Sequence, residues 1–252
     1  MSNSIDIISI TKNDFDGICR TIRSTQKLRR HAEENNIALR QIVIDGSDAK
    51  TATEVKKITQ DQARVSYCFE SKPGISVAFN RGIRESGAEW IWMLNGGDEL
   101  LDDAPIQTLL DVTSKTGSDV VIFSGKNRGN TQHTRPMAKL WPVVYCWIIH
   151  NAALVRRKVL LEFGGYREDY KIAMDAELWI RIFGYYKQAD VIDIPLVNFE
   201  GGGISDNLAK RSIESKKMLW DNKRLLWDRL FYYPRICWEA WNSYSQQAGR
   251  TK

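Results

Sequence analysis

The 252-residue sequence is 43% hydrophobic and 27% charged, ordinary fractions for a globular protein and enough chain for one large domain or two small ones. No stretch approaches the ~20 apolar residues that span a bilayer, no basic-then-apolar leader opens the chain, and neither an internal repeat nor a low-complexity segment is visible. The four cysteines (Cys19, Cys68, Cys146, Cys237) show neither CxxC pairing nor metal spacing, which suits buried thiols in a cytoplasmic, reducing compartment.

The net charge of +5 is unevenly placed. From Ser205 to Lys252 ten Lys or Arg stand against five acids, so the whole excess lies in that tail, together with four of the nine tryptophans. Apolar residues at 219, 220, 226, 227, 230 and 231 follow helical spacing until Pro234. The tail therefore reads either as amphipathic helices covering the core or as a basic, aromatic face suited to the inner membrane surface. Its basic residues form no nucleic-acid motif, so nucleic acid is not expected as a partner.

In chain order, the β-branched run Ile5 to Thr11 predicts a first strand. Asp14-Phe-Asp-Gly leads into a helix carrying Ile18, Ile22 and Leu28. Gln41 to Ile44 is a second strand ending at Asp45-Gly-Ser-Asp48, Thr53 to Ile58 a helix, and Arg64 to Phe69 a third strand. Pro73-Gly74 signals a turn, and a helix follows from Ile75 to Ser86 with Gly87 placed to cap it. Trp90 to Leu94 is a buried strand, after which Asn95-Gly-Gly turns the backbone and brings out Asp98 beside Glu99. A helix near Ile106 to Ser114 and a strand at Asp119 to Ser124 continue the alternation. Gly125 to Pro142 is polar loop or edge structure, and Val143 to Ile149 is apolar and leads into His150-Asn-Ala-Ala-Leu-Val-Arg-Arg. A helix ends at Phe163-Gly-Gly, a loop spans Tyr166 to Ala173, Asp175 opens a helix through Phe183, and Val191 to Val197 is a last strand. This alternation predicts an α/β fold with a mostly parallel, Rossmann-like sheet flanked by helices. Its ligands belong in the crevice outside the carboxyl ends of the strands.

Three aspartates fall at such positions. Asp45 can be part of a strand-to-helix turn, with an Asp capping the next helix, or a carboxylate for a nucleotide base or ribose. Asp98 can be a turn residue or a hard-oxygen ligand for Mg²⁺ or Mn²⁺, which takes one or two carboxylates plus substrate phosphates. Asp175 can be a helix N-cap, and Glu177 with Arg181 at i,i+4 a surface pair; Asp175 and Glu177 point to different sides of a helix. His150 reads equally as a satisfied core histidine or a ligand-binding one. Gly201-Gly-Gly-Ile-Ser205 is either a flexible loop or a nest of N–H groups over phosphate. No GxGxxG or Walker sequence is present, and no Ser-His-Asp or Cys-His arrangement is marked locally.

Taken together and in order, Ile42-Val-Ile-Asp45-Gly-Ser, Gly74-Ile-Ser-Val-Ala-Phe-Asn80-Arg-Gly82-Ile and Trp92-Met-Leu-Asn95-Gly-Gly-Asp98 resemble the family 2 inverting glycosyltransferases. His150 to Arg157, Phe163-Gly-Gly-Tyr, Ile172-Ala-Met-Asp175-Ala-Glu-Leu-Trp-Ile-Arg181 and Gly202-Gly-Ile-Ser205 extend the resemblance, from about residue 5 to 205. It is strongest for the bacterial branch that builds exopolysaccharide, colanic-acid-type and O-antigen units. The resemblance implies a GT-A fold over residues 1–204, with a nucleotide-sugar half to about residue 100 and an acceptor half from about 101, followed by a helical extension at 205–252. It implies transfer of a sugar from a nucleotide diphosphate donor, a UDP-sugar for preference, to a glycan or polyprenyl-diphosphate-linked acceptor. On this resemblance Ser9 and Thr11 line the nucleotide, Asp45 meets the base, and Asn80, Gly97 and His150 contact the nucleotide-sugar. Asp98 holds a Mn²⁺ or Mg²⁺ cofactor, Asp175 is the general base, and Gly202, Gly203 and Ser205 form an acceptor or diphosphate loop. Gly97 stands where the family often has a second Asp, so the metal would rest on one carboxylate and the donor's phosphates. The implied location is the cytoplasm, peripheral to the inner face of the membrane. A nucleotidyl- or phosphotransferase on a similar sheet, or an inactive glycosyltransferase-like binding subunit, are the alternatives.

Overall fold

A computed structural model describes residues 4–127, 130–132, 148–185, 189–199 and 208–221. The chain begins with β1 (Ser4–Thr11), α1 (Phe15–Ser24), α2 (Gln26–Glu34), β2 (Ala38–Asp45), α3 (Ala49–Gln60), β3 (Val65–Phe69), α4 (Ile75–Glu85) and β4 (Trp90–Met93). It continues through β5 (Glu99–Leu100), α5 (Ile106–Lys115), β6 (Val120–Asn127), β7 (Asn130–Gln132), a 3₁₀ turn at His150–Ala152, β8 (Ala153–Arg156) and α6 (Arg157–Glu162). Then come α7 (Met174–Tyr185), β9 (Asp190–Phe199) and α8 (Leu208–Asp221).

The sheet runs β3-β2-β1-β4-β8-β6-β9-β5, with β7 paired to β6. Its first half is entirely parallel: β1 pairs β2 with Thr11 opposite Asp45, and pairs β4 with Ile8 opposite Met93. Strands covered on both faces read as nearly continuous apolar runs, as in Ile5 to Ile10 and Trp90 to Leu94. The second half is mixed, because β8 is antiparallel to both β4 and β6 while β9 is parallel to β6. The sequence reading did not assign β8. Ala153-Leu-Val-Arg is only four residues and runs into α6 without a Gly or Pro to mark its end.

The pleat divides the core. On one face Ile8, Ile42, Ile91 and Met93 pack with Phe79 and Ile83 of α4, Leu160 of α6, and Leu178 and Trp179 of α7. On the other, Ile5, Ile7, Trp90 and Trp92 meet Leu28 of α2 and Leu109 and Leu110 of α5. Met218 of α8 joins the first cluster, so the described beginning of the carboxyl-terminal extension packs on the core. Among the described residues no helix is long and apolar enough to cross a membrane.

Two local expectations are corrected. The single helix after Asp14 is two helices meeting at Thr25, whose hydroxyl donates back to the carbonyls of Thr21 and Ile22 and competes with the helical ladder. Gly87 is not a left-handed cap: α4 ends at Glu85, Ser86 is extended, and the Ser86 hydroxyl donates to Asp6 Oδ2 at 2.7 Å.

Gly82 allows the closest approach of α4 to β1. A Cβ at this position would lie 2.4 Å from Ile8 Cγ2 in the buried core. Gly82→Ala is therefore expected to cost about 1–3 kcal/mol by overpacking, read as a lowered urea midpoint at unchanged m-value.

Candidate active site

The crevice is built at the carboxyl end of β1. Ile10 O accepts the Gly96 N–H at 2.9 Å from the turn after β4, and Thr11 O accepts the Gly46 N–H at 3.0 Å from the turn after β2. A side chain at 96 would meet Ile10 O at 2.9 Å, so only glycine lets that turn close on the strand. Gly97 has a φ of +96°, and its N–H donates to Thr21 Oγ1 at 2.9 Å; the same hydroxyl approaches Asp98 O at 2.7 Å. Helix α1, whose first turn is capped by Asp14 through the Gly17 N–H, thus holds the acidic turn in place.

Asp98 is 8% exposed, and its Oδ2 accepts from Asn151 Nδ2 at 2.8 Å. Burial raises its carboxyl to about 6, against the lowering effect of the amides of Asn151 and Asn95. The neighbouring Asn95 Oδ1 is buried without a hydrogen-bond partner. A carboxylate costly to leave charged, beside an unpaired amide oxygen, fits a hard divalent cation completed by phosphate oxygens. Among the described residues no group of three or more His, Cys, Asp or Glu converges.

Asp45 is fully buried; its Oδ1 accepts the Ser47 N–H at 2.9 Å and its Oδ2 the Tyr67 hydroxyl at 3.1 Å. Burial, with the charge of Asp45, pushes Tyr67 up to about 12, so the phenol stays a donor. The helix cap after β2 is Asp48, which accepts the Thr51 N–H at 3.0 Å. Thr11 reaches the crevice edge, with its hydroxyl on Asp14 O at 3.2 Å. Ser9 does not reach the crevice. It is wholly buried and accepts from Gln41 Nε2 at 2.9 Å, at the end of a network through Gln41 to Thr25 and Arg29.

Asp175 is the second residue of α7 and half-buried, close enough for its charge to act on both His150 and Tyr166. His150 Nε2 lies 3.1 Å from the Tyr166 hydroxyl, and the imidazole packs edge-on to Phe79, Tyr166 and Trp179. Burial lowers the His150 pKa, with Asp175 opposing, and its Nδ1 has no partner. Adjacent residues therefore join the two acidic centres: Asn151 bonds Asp98, while His150 bonds Tyr166 beside Asp175. Trp92 fixes this turn by donating from Nε1 to Asn151 O at 2.6 Å.

Asn80 is committed to the backbone, donating to Tyr166 O and accepting from Tyr166 N, both at 2.8 Å. It holds the turn at Gly164 and Gly165, whose φ values of +72° and +69° require glycine. The pair expected at the surface is instead buried: Glu177 is 1% exposed and bridges Arg181 at 2.8 Å, and Arg181 also donates to the carbonyls of Phe163 and Gly165. Asp175 is not the N-cap of α7 but its second residue: Ala173 O accepts the Glu177 N–H at 2.9 Å, and the Asp175 carboxylate accepts the N–H of the next residue, Ala176, at 2.7 Å. Gly202, Gly203 and Ser205 lie outside the described residues. Sequence reasoning missed Asn151, although it sits next to His150 in a stretch already singled out. It also missed Asn95, Tyr67 and Tyr166, whose signals are ordinary core and turn patterns.

The Asp98 geometry carries a linkage prediction. The folded pKa of about 6 exceeds the ordinary value of 3.8, so the folded state holds its proton more tightly and stability falls as pH rises from about 4 to 6. In chelator at pH 8, Asp98→Asn is expected to stabilise by about 2 kcal/mol, roughly 4–8 °C in Tm, and to give little gain near pH 4.

Comparison with known proteins identifies the framework. The family model described as Glycosyl transferase family 2 matches residues 6–178. Two uncharacterized glycosyltransferases of Mycobacterium tuberculosis are each 23% identical over 189 residues, 71% of this chain and 68% of theirs. The structure resembles Staphylococcus aureus TarS 1–349 in complex with UDP-GlcNAc, with a TM-score of 0.68 and 14% identity over 85% of this chain; the chain spans only 65% of that protein's length. It also resembles a mannosyltransferase of Pyrobaculum calidifontis in complex with GDP-Man and Mn²⁺, with a TM-score of 0.63 and 16% identity, covering 98% of this chain and 74% of that one. At these identities the structural likeness speaks for the fold, a GT-A arrangement as the sequence motifs implied. With its model matched across more than half the sequence, the chain belongs to glycosyltransferase family 2 and is a glycosyltransferase.

Proposed function

We propose that this glycosyltransferase moves a sugar from a nucleotide diphosphate donor to a glycan or lipid-linked acceptor hydroxyl with inversion, in the assembly of a bacterial surface polysaccharide. The observation that carries the reading is the bridge between the two acidic centres. Consecutive residues of one 3₁₀ turn touch Asp98 on one side, and on the other Tyr166, beside Asp175. In this reading the donor's nucleotide lies over Thr11 and Asp45 at the strand ends, and its diphosphate lies against Asp98. Asp175 takes the proton of the acceptor hydroxyl as that oxygen attacks the anomeric carbon from the face opposite the leaving diphosphate. A divalent cation held by Asp98 and Asn95 would neutralise charge developing on the departing diphosphate. Because the diphosphate leaves without protonation, one base suffices, unlike the paired carboxylates of glycoside hydrolases.

His150 in this reading is neutral and holds Tyr166 in place. Asn80 acts indirectly, by fixing the loop that carries Tyr166. The UDP-GlcNAc and GDP-Man bound by the structural neighbours support a nucleotide sugar as the donor class, with a UDP-sugar preferred, and the Mn²⁺ of the mannosyltransferase supports a divalent cofactor. Family membership favours sugar transfer over the nucleotidyl- or phosphotransferase alternative, which would release pyrophosphate or pass on a phosphate.

The first test is a mass-spectrometric screen of nucleotide sugars for hydrolysis or transfer, followed by Asp175→Asn on the active donor. A loss of about 10²–10⁴ in kcat with donor affinity nearly intact is expected, and an unchanged transfer rate would remove Asp175 from the base role. Asn151→Ala is expected to weaken Mn²⁺-dependent donor binding about tenfold or more in calorimetric titration, because Asn151 orients the proposed metal-holding carboxylate.

A further inference from the structure

Helix α7 begins directly after an unusual contact. Its preceding N–H groups, on Lys171, Ile172 and Ala173, all point to the side chain of Glu214 on α8. The Oε2 atom accepts from Ile172 and Ala173 at 2.8 Å each and from Lys171 at 3.1 Å, while Oε1 accepts from Lys171 at 2.9 Å. A helix start leaves N–H groups without backbone partners; in α7 the Asp175 carboxylate takes that of Ala176 at 2.7 Å, while the cap residue Ala173 has no side-chain acceptor of its own. The Ala173 N–H, with those of the two residues before it, is held by a carboxylate 41 residues or more along the chain, whose charge also favours the positive end of the helix.

The contact is part of a larger clasp. Tyr170 donates to Asp221 Oδ2 at 2.8 Å, Arg167 pairs with Asp221 at 2.9 Å, and Lys217 pairs with Asp169 at 2.5 Å while lying over the Tyr170 ring. Helix α8 thus grips the segment from Arg167 to Ala173 by Glu214, Lys217 and Asp221, one residue per turn along one face, with Met218 anchoring it in the core.

We propose that Glu214 is a positioning residue for the transfer reaction: by accepting the N–H groups of Lys171, Ile172 and Ala173 it sets the first turn of α7, and with it Asp175. The proposal deepens the reading of Asp175 as base and rests on it. The hydrogen bonds of Glu214 go to the backbone of residues 171–173. It acts through the backbone two residues before the aspartate, where a displacement of about 1 Å is enough to lower a rate substantially.

The test compares Glu214→Ala with Glu214→Gln, which keeps a side-chain oxygen to accept from the same N–H groups. Glu214→Ala is expected to lower kcat about tenfold or more with donor KM within about twofold, and Glu214→Gln to recover most of the loss. In hydrogen exchange, the amides of 171–177 should exchange faster in Glu214→Ala while those of β1 and β2 keep their protection. A kcat within twofold of the parent, faster exchange throughout the domain, or no rescue by glutamine would each overturn the proposal. If the base assignment itself is wrong, Asp175→Asn keeps its turnover, whereas the local exchange response at 171–177 persists.

Discussion

The structure depends on where β1 ends. Its last two carbonyls are taken by Gly96 and Gly46, so the turns after β4 and β2 close onto one strand and Thr11, Asp45 and Asp98 gather at one rim. Parallel register makes this possible, since strands joined by helical crossovers all deliver their carboxyl ends to the same edge. The glycine at 96 is the steric condition, because any side chain would meet Ile10 O. Behind the rim, Thr21 of α1 braces the acidic turn from the helix side.

The second half of the molecule brings its own carboxylate to this rim by indirect means. Strand β8 enters antiparallel beside β4, so the 3₁₀ turn just before it arrives next to the turn after β4, and Asn151 meets Asp98. Asp175 comes on a helix that follows a long irregular segment, and that segment is tied down along its length. Asn80 binds the backbone of Tyr166, Arg181 the carbonyls of Phe163 and Gly165, and Glu214 the N–H groups before α7. A buried charge such as Glu177 is tolerated because Arg181 satisfies it bidentately and spends its remaining donors on that same loop.

Much of this framework was legible in the residues. The strands β1 to β4 and β6, and the helices α3, α4, α5 and α7, stand where apolar period and turn residues put them, with ends shifted by a few residues. Strand β8 was not legible, being short and unpunctuated. The break at Thr25 was hidden because the apolar spacing of Ile18, Ile22 and Leu28 continues across it. Among the site residues, the placement of Asp45 and Asp98 at strand ends followed from the sequence pattern. Ser9 shows the limit of that reasoning: it lies on the correct strand two residues before the rim, where its side chain meets Gln41 in the interior.

The sequence by itself determined the alternation of strands and helices, the glycine turn that carries Asp98, and the order of motifs that marks the family. These are local properties, set by side-chain period and by backbone freedom within a few residues. Only the tertiary structure decided which polar groups meet. Asn151 reaching Asp98, Tyr67 reaching Asp45, Asn80 holding Tyr166 and Glu214 holding the backbone before α7 are contacts between residues 22 to 86 positions apart. No local pattern specifies such pairs. They form because buried N–H groups and carboxylates must find partners once the sheet order has placed their segments side by side.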